Sequence, residues 1–271
     1  MQKLFLAAFL LMIISFQANA QQSENSYSLF NATPKDQLRD FSIDRPDVTE
    51  SAITVDGGHF QFEGDLIKWT QEGGTDGAEL FTYMSGLYKI GLSHTWDIHV
   101  GIEAYNVLKD SEGNTLEKGY GATSIRLKHN FWGNDGDKKT SFGMIPYVTF
   151  PSGNIFDNEK VVYGIGLPFA YAFTETLGLG AQPQFDFIPD EETGDYHMSF
   201  FQTVVLGGPV IGNLDFYIEG LAIFFRGDAN YLANGGLIYN VSDNVKIDVA
   251  TNIGLNEEAP TRMYLGLSFR I

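Results

Sequence analysis

The chain has 271 residues, no cysteine and a formal net charge of −17 at pH 7. That acidity disfavours nucleic acid, whose phosphates bind basic surfaces, and the missing thiols exclude a disulfide framework and a lipid-attachment cysteine. Aromatic residues make up 14% of the chain, and beyond the leader no apolar run is long enough for a spanning helix, so a membrane role requires a β-barrel.

At the N terminus Lys3 precedes an apolar run over 4–16, and Ala18-Asn19-Ala20 follows it. A positive start, a short apolar core and a small-residue site predict a secretory signal peptide over 1–20, cleaved after Ala20. Cleavage removes Lys3 and leaves 251 residues with net charge −18. Residues 21–57 read as a polar arm. Its segment 41–50 is charged and turn-rich, and Pro46 fixes one torsion and removes a donor.

From His59 the period is two, the pattern of a strand with one apolar and one polar face. The clearest case is 96–108, where Trp96, Ile98, Val100, Ile102 and Ala104 alternate with Asp97, His99, Gly101, Glu103 and Tyr105. Further strands are predicted over 80–92, 120–131, 141–150, 161–173, 177–188, 196–206, 214–225, 231–241, 245–254 and 262–271. The faces of 196–206 are ambiguous. With the first strand this makes twelve.

Tight breaks at Ser93-His94-Thr95, Thr174-Glu175-Thr176 and Ser242-Asp243-Asn244 fall on every second junction. Opposite them lie the longer polar stretches 109–119, 151–160 and 189–195. Short turns alternating with long loops, and Trp69, Trp96 and Trp132 at strand ends, fit a bacterial outer-membrane barrel with aromatic girdles. A secreted β-sandwich or soluble barrel would alternate too, with its apolar faces in a core. Here the polar face is dense with charge and the apolar face rich in aromatics. The expected fold is therefore all-β, a transmembrane antiparallel barrel over 58–271.

The last strand alternates Met263, Leu265, Leu267, Phe269 and Ile271 with Tyr264, Gly266, Ser268 and Arg270. It resembles the C-terminal signal by which barrel-assembly machinery recognises outer-membrane proteins, departing from it in ending on Ile271 rather than an aromatic. Over 42–63, SIDRPDVTES and TVDGGHFQFE resemble the N-terminal signature of the outer-membrane transporter family named for the meta-cleavage pathway of phenol degradation. MIPYVTFPSG over 144–153 and GIGLPFAYAFTETLGLG over 164–180 fit the same family. The resemblance implies a porin-like barrel in the outer membrane and marks Asp44, Arg45, Pro46, Asp47, Thr49 and Glu50 as signature positions. It implies no catalytic residue, no cofactor and no particular solute.

Alternation places Glu63, Asp65, Asp97, His99, Glu103, Tyr105, Arg126, Lys128, Gln182, Gln184, Asp186 and Glu219 on the lumen. Glu79, Asp215, Asp248, Lys89, Lys246 and Arg270 join them. Acids outnumber bases, so neutral or cationic solutes are expected over anions, and the family resemblance adds aromatic ones to the candidates. Partners are then outer-membrane lipid, a small solute and the assembly machinery, with no nucleic acid. His59/Glu63 and His99/Glu103 carry a four-residue spacing that on a strand spans about 13 Å, too far for one metal ion. A lipid hydrolase would need a serine in hydrogen-bond reach of a histidine. His197 and Ser199, about 7 Å apart along one strand, are too far for direct proton transfer, though His99 could meet a serine across the sheet. A lipid-modifying barrel enzyme and a structural or adhesive barrel displaying its loops are the alternatives to a channel. The signature Asp44-Arg45-Pro46-Asp47 is either an idle solvated turn or a latch docked inside the barrel mouth.

Overall fold

The computed structural model describes residues 27–73, 77–153, 160–190 and 193–271. The leader, its cleavage site and parts of the stretches 151–160 and 189–195 lie outside the described residues. The strands are β1 (Phe60–Gln71), β2 (Glu79–Gly91), β3 (Trp96–Lys109), β4 (Thr115–Gly119), β5 (Thr123–Trp132), β6 (Thr140–Phe150) and β7 (Val162–Gly166). They continue as β8 (Phe169–Ala172), β9 (Gly178–Pro189), β10 (Tyr196–Ile211), β11 (Leu214–Phe225), β12 (Asp228–Ser242), β13 (Val245–Gly254) and β14 (Thr261–Arg270).

All pairings between these strands are antiparallel, and the sheet closes because β14 pairs with β1 while β9 pairs with β10. β4 lies within the predicted loop 109–119 and continues β5 along β3. β7 and β8 are halves of one stave between β6 and β9, interrupted at Leu167-Pro168. Pro168 has no N–H to give the ladder; the Leu167 N–H reaches the Pro183 carbonyl at 3.0 Å, and the Pro168 carbonyl accepts from Gly143 at 3.0 Å. Counted as staves, the wall is the twelve-stranded antiparallel barrel that the alternation predicts.

Burial is inverted relative to a water-soluble fold. The most buried side chains include Lys89, Lys128, His99, Gln182, Asn106, Asn130 and Asp97, whereas Ile90, Ile102, Ile125, Val204, Ile218, Val249 and Met263 are exposed. An apolar outer surface suits lipid, and a polar interior must then satisfy itself by internal pairing. Trp96 stacks on His129 at the short-turn end of the wall. Tyr163, Phe187 and Tyr196 cluster at the other end. On the outside of β1, Phe62 lies over Gly64 and Gly86, between the Tyr88 and Phe269 rings.

Alternation fails along one line. Asp65 pairs with Ser85 and Ser85 with Glu103; the next pairs are Ile67 with Tyr83 and Tyr83 with Tyr105. Leu66, Met84 and Ala104 are passed over together, and Met84 has a left-handed φ of 54°. An extra residue in each of three neighbouring strands moves the later side chains to the other face. Tyr105, placed on the lumen by alternation, therefore faces outward, 43% exposed against Tyr83, and fully buried Asn106 takes the inward position. Glu79 turns outward for the same reason and accepts the Trp69 indole N–H at 3.1 Å.

The ambiguous strand 196–206 also has a cause. Its inward positions in β10 include Phe201 and Val205, which pack with Leu221 and Leu232 and with Tyr217 and Ala250. One sector of the lumen is thus apolar, and a polar-in rule cannot read it.

Candidate functional site

The chain before β1 runs inside the barrel. Ser28 bridges Ser93, and the Leu29 N–H donates to the Leu92 carbonyl at 3.0 Å, which fixes the arm at the short-turn mouth. Arg39 donates to Asp56 at 2.7 Å and to the Thr54 carbonyl at 3.0 Å, tying the rising limb to the descending one. Phe41 lies between the cations of Lys246 and Arg270, 5.5 and 5.4 Å from its ring centre. The limb rises past β13, β14 and β1, crosses the lumen over 44–50, and descends past β5 and β6. Asn130 then donates to the Ala52 carbonyl at 2.9 Å, and the Val55 N–H reaches Asp97 at 2.7 Å. We call this loop the strap.

Each signature residue meets a different part of the wall. The Asp44 carboxylate accepts from Lys128 at 2.7 and 2.8 Å, from Lys89 at 2.6 Å and from the Ser51 N–H at 2.9 Å. Its own N–H donates to Glu63 at 2.6 Å, and Glu63 in turn pairs with Lys89. Burial raises the Asp44 pKa, but Lys128 and Lys89, with His99, outweigh it and hold the carboxyl far below the usual range.

Arg45 points the other way. Its guanidinium grips Asp248 with two bonds of 2.8 and 2.7 Å and Asp65 with a third of 2.8 Å. Asp65 and Asp248 both pair with Gly266 in the ladder, so the guanidinium lies flat over that glycine. A Cβ there would sit 1.8 Å from an Arg45 nitrogen. Glycine in a strand is a mark of such close approach.

The peptide bond before Pro46 is cis, and the Pro46 carbonyl accepts from the Tyr264 hydroxyl at 2.7 Å. Glu219 accepts from the Val48 N–H at 2.9 Å, the Thr49 N–H at 2.7 Å and the Thr49 hydroxyl at 2.7 Å. Thr49 also meets Thr203 at 2.5 Å. Asp47 adjoins this carboxylate, and burial, then Glu219, pushes its pKa well above the ordinary value. The Glu50 N–H donates to Gln182 at 2.9 Å, and its carboxylate pairs with Arg126.

Of the other residues assigned to the lumen, Asp97 holds His99 at 2.7 Å, and Gln184 bonds Asp186 at 2.9 Å and the Tyr147 hydroxyl at 3.1 Å. Glu103 lines a cavity of about 310 Å³ on the long-loop side of the strap, with Asp44, Arg45, Glu63, Asp65 and Ser124. A second cavity, of about 430 Å³, lies at the short-turn mouth between Lys35, Arg39, Phe41, Lys246 and Arg270. His197 sits near the long loops, 3.2 Å from Arg226. Alternation alone did not single out Gly266, Asp248, Lys89 or Tyr264 as partners of the signature. The glycine inside an otherwise bulky last strand was the available sign.

A closed antiparallel wall with an apolar, aromatic-rich outside and a charged, self-paired inside defines an outer-membrane β-barrel. The chain belongs to the family described as "Putative MetA-pathway of phenol degradation", which matches residues 43–271. Its fold is similar to that of an outer-membrane channel from Pseudomonas putida F1, at TM-score 0.56 and 12% identity, covering 85% of this chain and 100% of that one. It is similar also to the NanC porin, at TM-score 0.51 and 11% identity, covering 77% and 98%. No curated protein sequence matches the chain.

Proposed function

We propose that the protein is an outer-membrane channel for small solutes which its own strap holds closed. The observation that carries this reading is the spread of the crossing segment's partners. Residues 44–50 bond to β1, β2, β5, β9, β10, β11, β13 and β14, which lie around the whole ring. A path through the lumen has to pass that segment, with one cavity above it and one below. The family and the porin-like fold support a transport role. The leader ending at Ala20 would export the chain, the last strand would present it to the assembly machinery, and the short turns with the strap's mouth would face the periplasm.

The lumen charges are largely paired: Glu63, Asp65 and Asp248 are each engaged by a cation, and Lys89, Lys128 and Arg126 by a carboxylate. The net excess of acids supports a preference for neutral or cationic solutes over anions. Planar-bilayer recording tests the proposal. A chain lacking residues 21–55 should conduct more than the full chain, and equal conductance would remove the strap's role.

A further inference from the structure

Outside the lumen, one stretch of the outer surface carries cations above its aromatic band. On that face the ladder runs Trp69, Phe81, Val107, Lys118 from β1 across β2 and β3 to β4. The next outward row, nearer the long loops, is Gln71, Glu79, Lys109. β3 has 14 residues from Trp96 to Lys109, more than the about 9–11 that a strand needs to cross hydrocarbon. Lys109 and Lys118 therefore stand at headgroup level on the long-loop side, which faces outside in barrels of this class. They lie diagonally across the β3–β4 pair, about 7–8 Å apart at the backbone. Among the described residues neither ammonium pairs with a carboxylate; Lys109 rests over the Phe81 ring, 5.0 Å from its centre. The nearby carboxylates are otherwise engaged or turned away. Glu79 accepts from Trp69, Asp110 from Asn114 and the Glu112 N–H, and Glu112 lies at the hairpin tip beside Asn114. Glu117 pairs with Leu108 and so stands on the opposite face of β4 from Lys118.

We propose that the outer face of β1–β4 is a docking site for a phosphorylated glycolipid of the outer leaflet. Lys109 and Lys118 hold its phosphates, and its acyl chains lie on Trp69, Phe81, Tyr83 and Tyr105. The lysine stems run over apolar surface while the ammonium groups stay at the polar boundary, where a phosphate makes short charge-assisted hydrogen bonds. A zwitterionic phospholipid fits less well, because each of its phosphates already carries a cation of its own. The rest of the long-loop rim is rich in acids, among them Glu72, Asp195, Asp228, Glu257 and Glu258. Those repel a phosphate and confine the site to this sector.

The test uses the full chain in detergent micelles, with EDTA present so that no divalent cation bridges Glu79 or Glu112 to a phosphate. Native mass spectrometry then reads how much added lipid A each barrel retains. The unaltered protein should retain it, and Lys109→Gln with Lys118→Gln should weaken retention by about tenfold or more. Lys138→Gln with Lys139→Gln removes the same charge from exposed positions at the short-turn end and should change nothing. Heat-modifiable gel migration checks that both variants are folded barrels. In the unaltered protein, dephosphorylated lipid A should be held as weakly as lipid A is by the Lys109 and Lys118 double variant, and inorganic phosphate should displace no lipid. Equal loss in the two double variants, or no retention by the unaltered protein, would overturn the site. Full retention of the dephosphorylated lipid would overturn the role of the phosphates, and displacement by inorganic phosphate would overturn the lipid as occupant.

Discussion

Replacing Gly266 with alanine puts a methyl group where the Arg45 guanidinium lies, 1.8 Å from its nearest nitrogen. Alanine does not disturb the ladder, because the pairs with Asp65 and Asp248 use backbone atoms. The guanidinium must lift, and its three bonds to Asp248 and Asp65 cannot all re-form. Breaking one side of a buried ion pair costs about 3–5 kcal/mol. At about 1.4 kcal/mol per tenfold, the lower end raises the released fraction of the strap on the order of 100-fold. Single-channel recording should show a matching rise in open probability, and heat-modifiable gel migration should show an intact barrel. Arg45→Ala should have a similar effect, and the double variant should be no worse than Arg45→Ala alone, since both remove the same contact. Gly266→Ala with wild-type closure, or effects that add in the double variant, would refute the clamp.

Lys128→Met leaves Asp44 with Lys89 alone; at about 2 kcal/mol for a lost charge-assisted bond, cleavage of the strap by added protease should quicken about 25-fold, and unchanged cleavage would count against the pairing. Closure should also depend on pH. Burial and Glu219 raise the Asp47 pKa, so the docked strap binds a proton more tightly than the released one. Docking should strengthen as pH falls toward the ordinary carboxylate value of about 4. Asp44 acts in the opposite sense: its lowered pKa stabilises docking fully above about pH 4, and the benefit fades only below that. Asp47→Asn should flatten the rise of the closed fraction on acidification; a wild-type pore that opens as pH falls toward about 4 contradicts the assignment.

The wall was legible because lipid on one side and charge on the other impose period two on every stave. Trp96 to Glu103 could be assigned residue by residue for that reason, and Asp97, His99, Lys89 and Lys128 are buried in the structure. Tyr105 was misread because the shift at Leu66, Met84 and Ala104 exists only in the register between strands. Tyr on either face is chemically acceptable, so the sequence holds no local sign of it. Phe201 and Val205 hid the facing of β10 because apolar residues on the lumen side pack on the strap's Val48 and on neighbouring inward side chains. The signature was visible as a charged turn. Its partners were not, since Asp44 meets Lys128 and Arg45 meets Asp248 across separations that no local pattern encodes.

The seat of Arg45 is assembled from both ends of the chain. Asp65 belongs to the first stave, Gly266 to the last and Asp248 to the one before it. At the short-turn mouth, His59 contacts the Thr33 carbonyl at 2.7 Å and the Ile271 carbonyl at 3.0 Å, joining the arm to the final residue. The three sides of that seat come together only when the first and last staves have zipped. During biogenesis the arm thus cannot be clamped in an unfinished cylinder, and a seated Arg45 is a molecular record that the circle was completed.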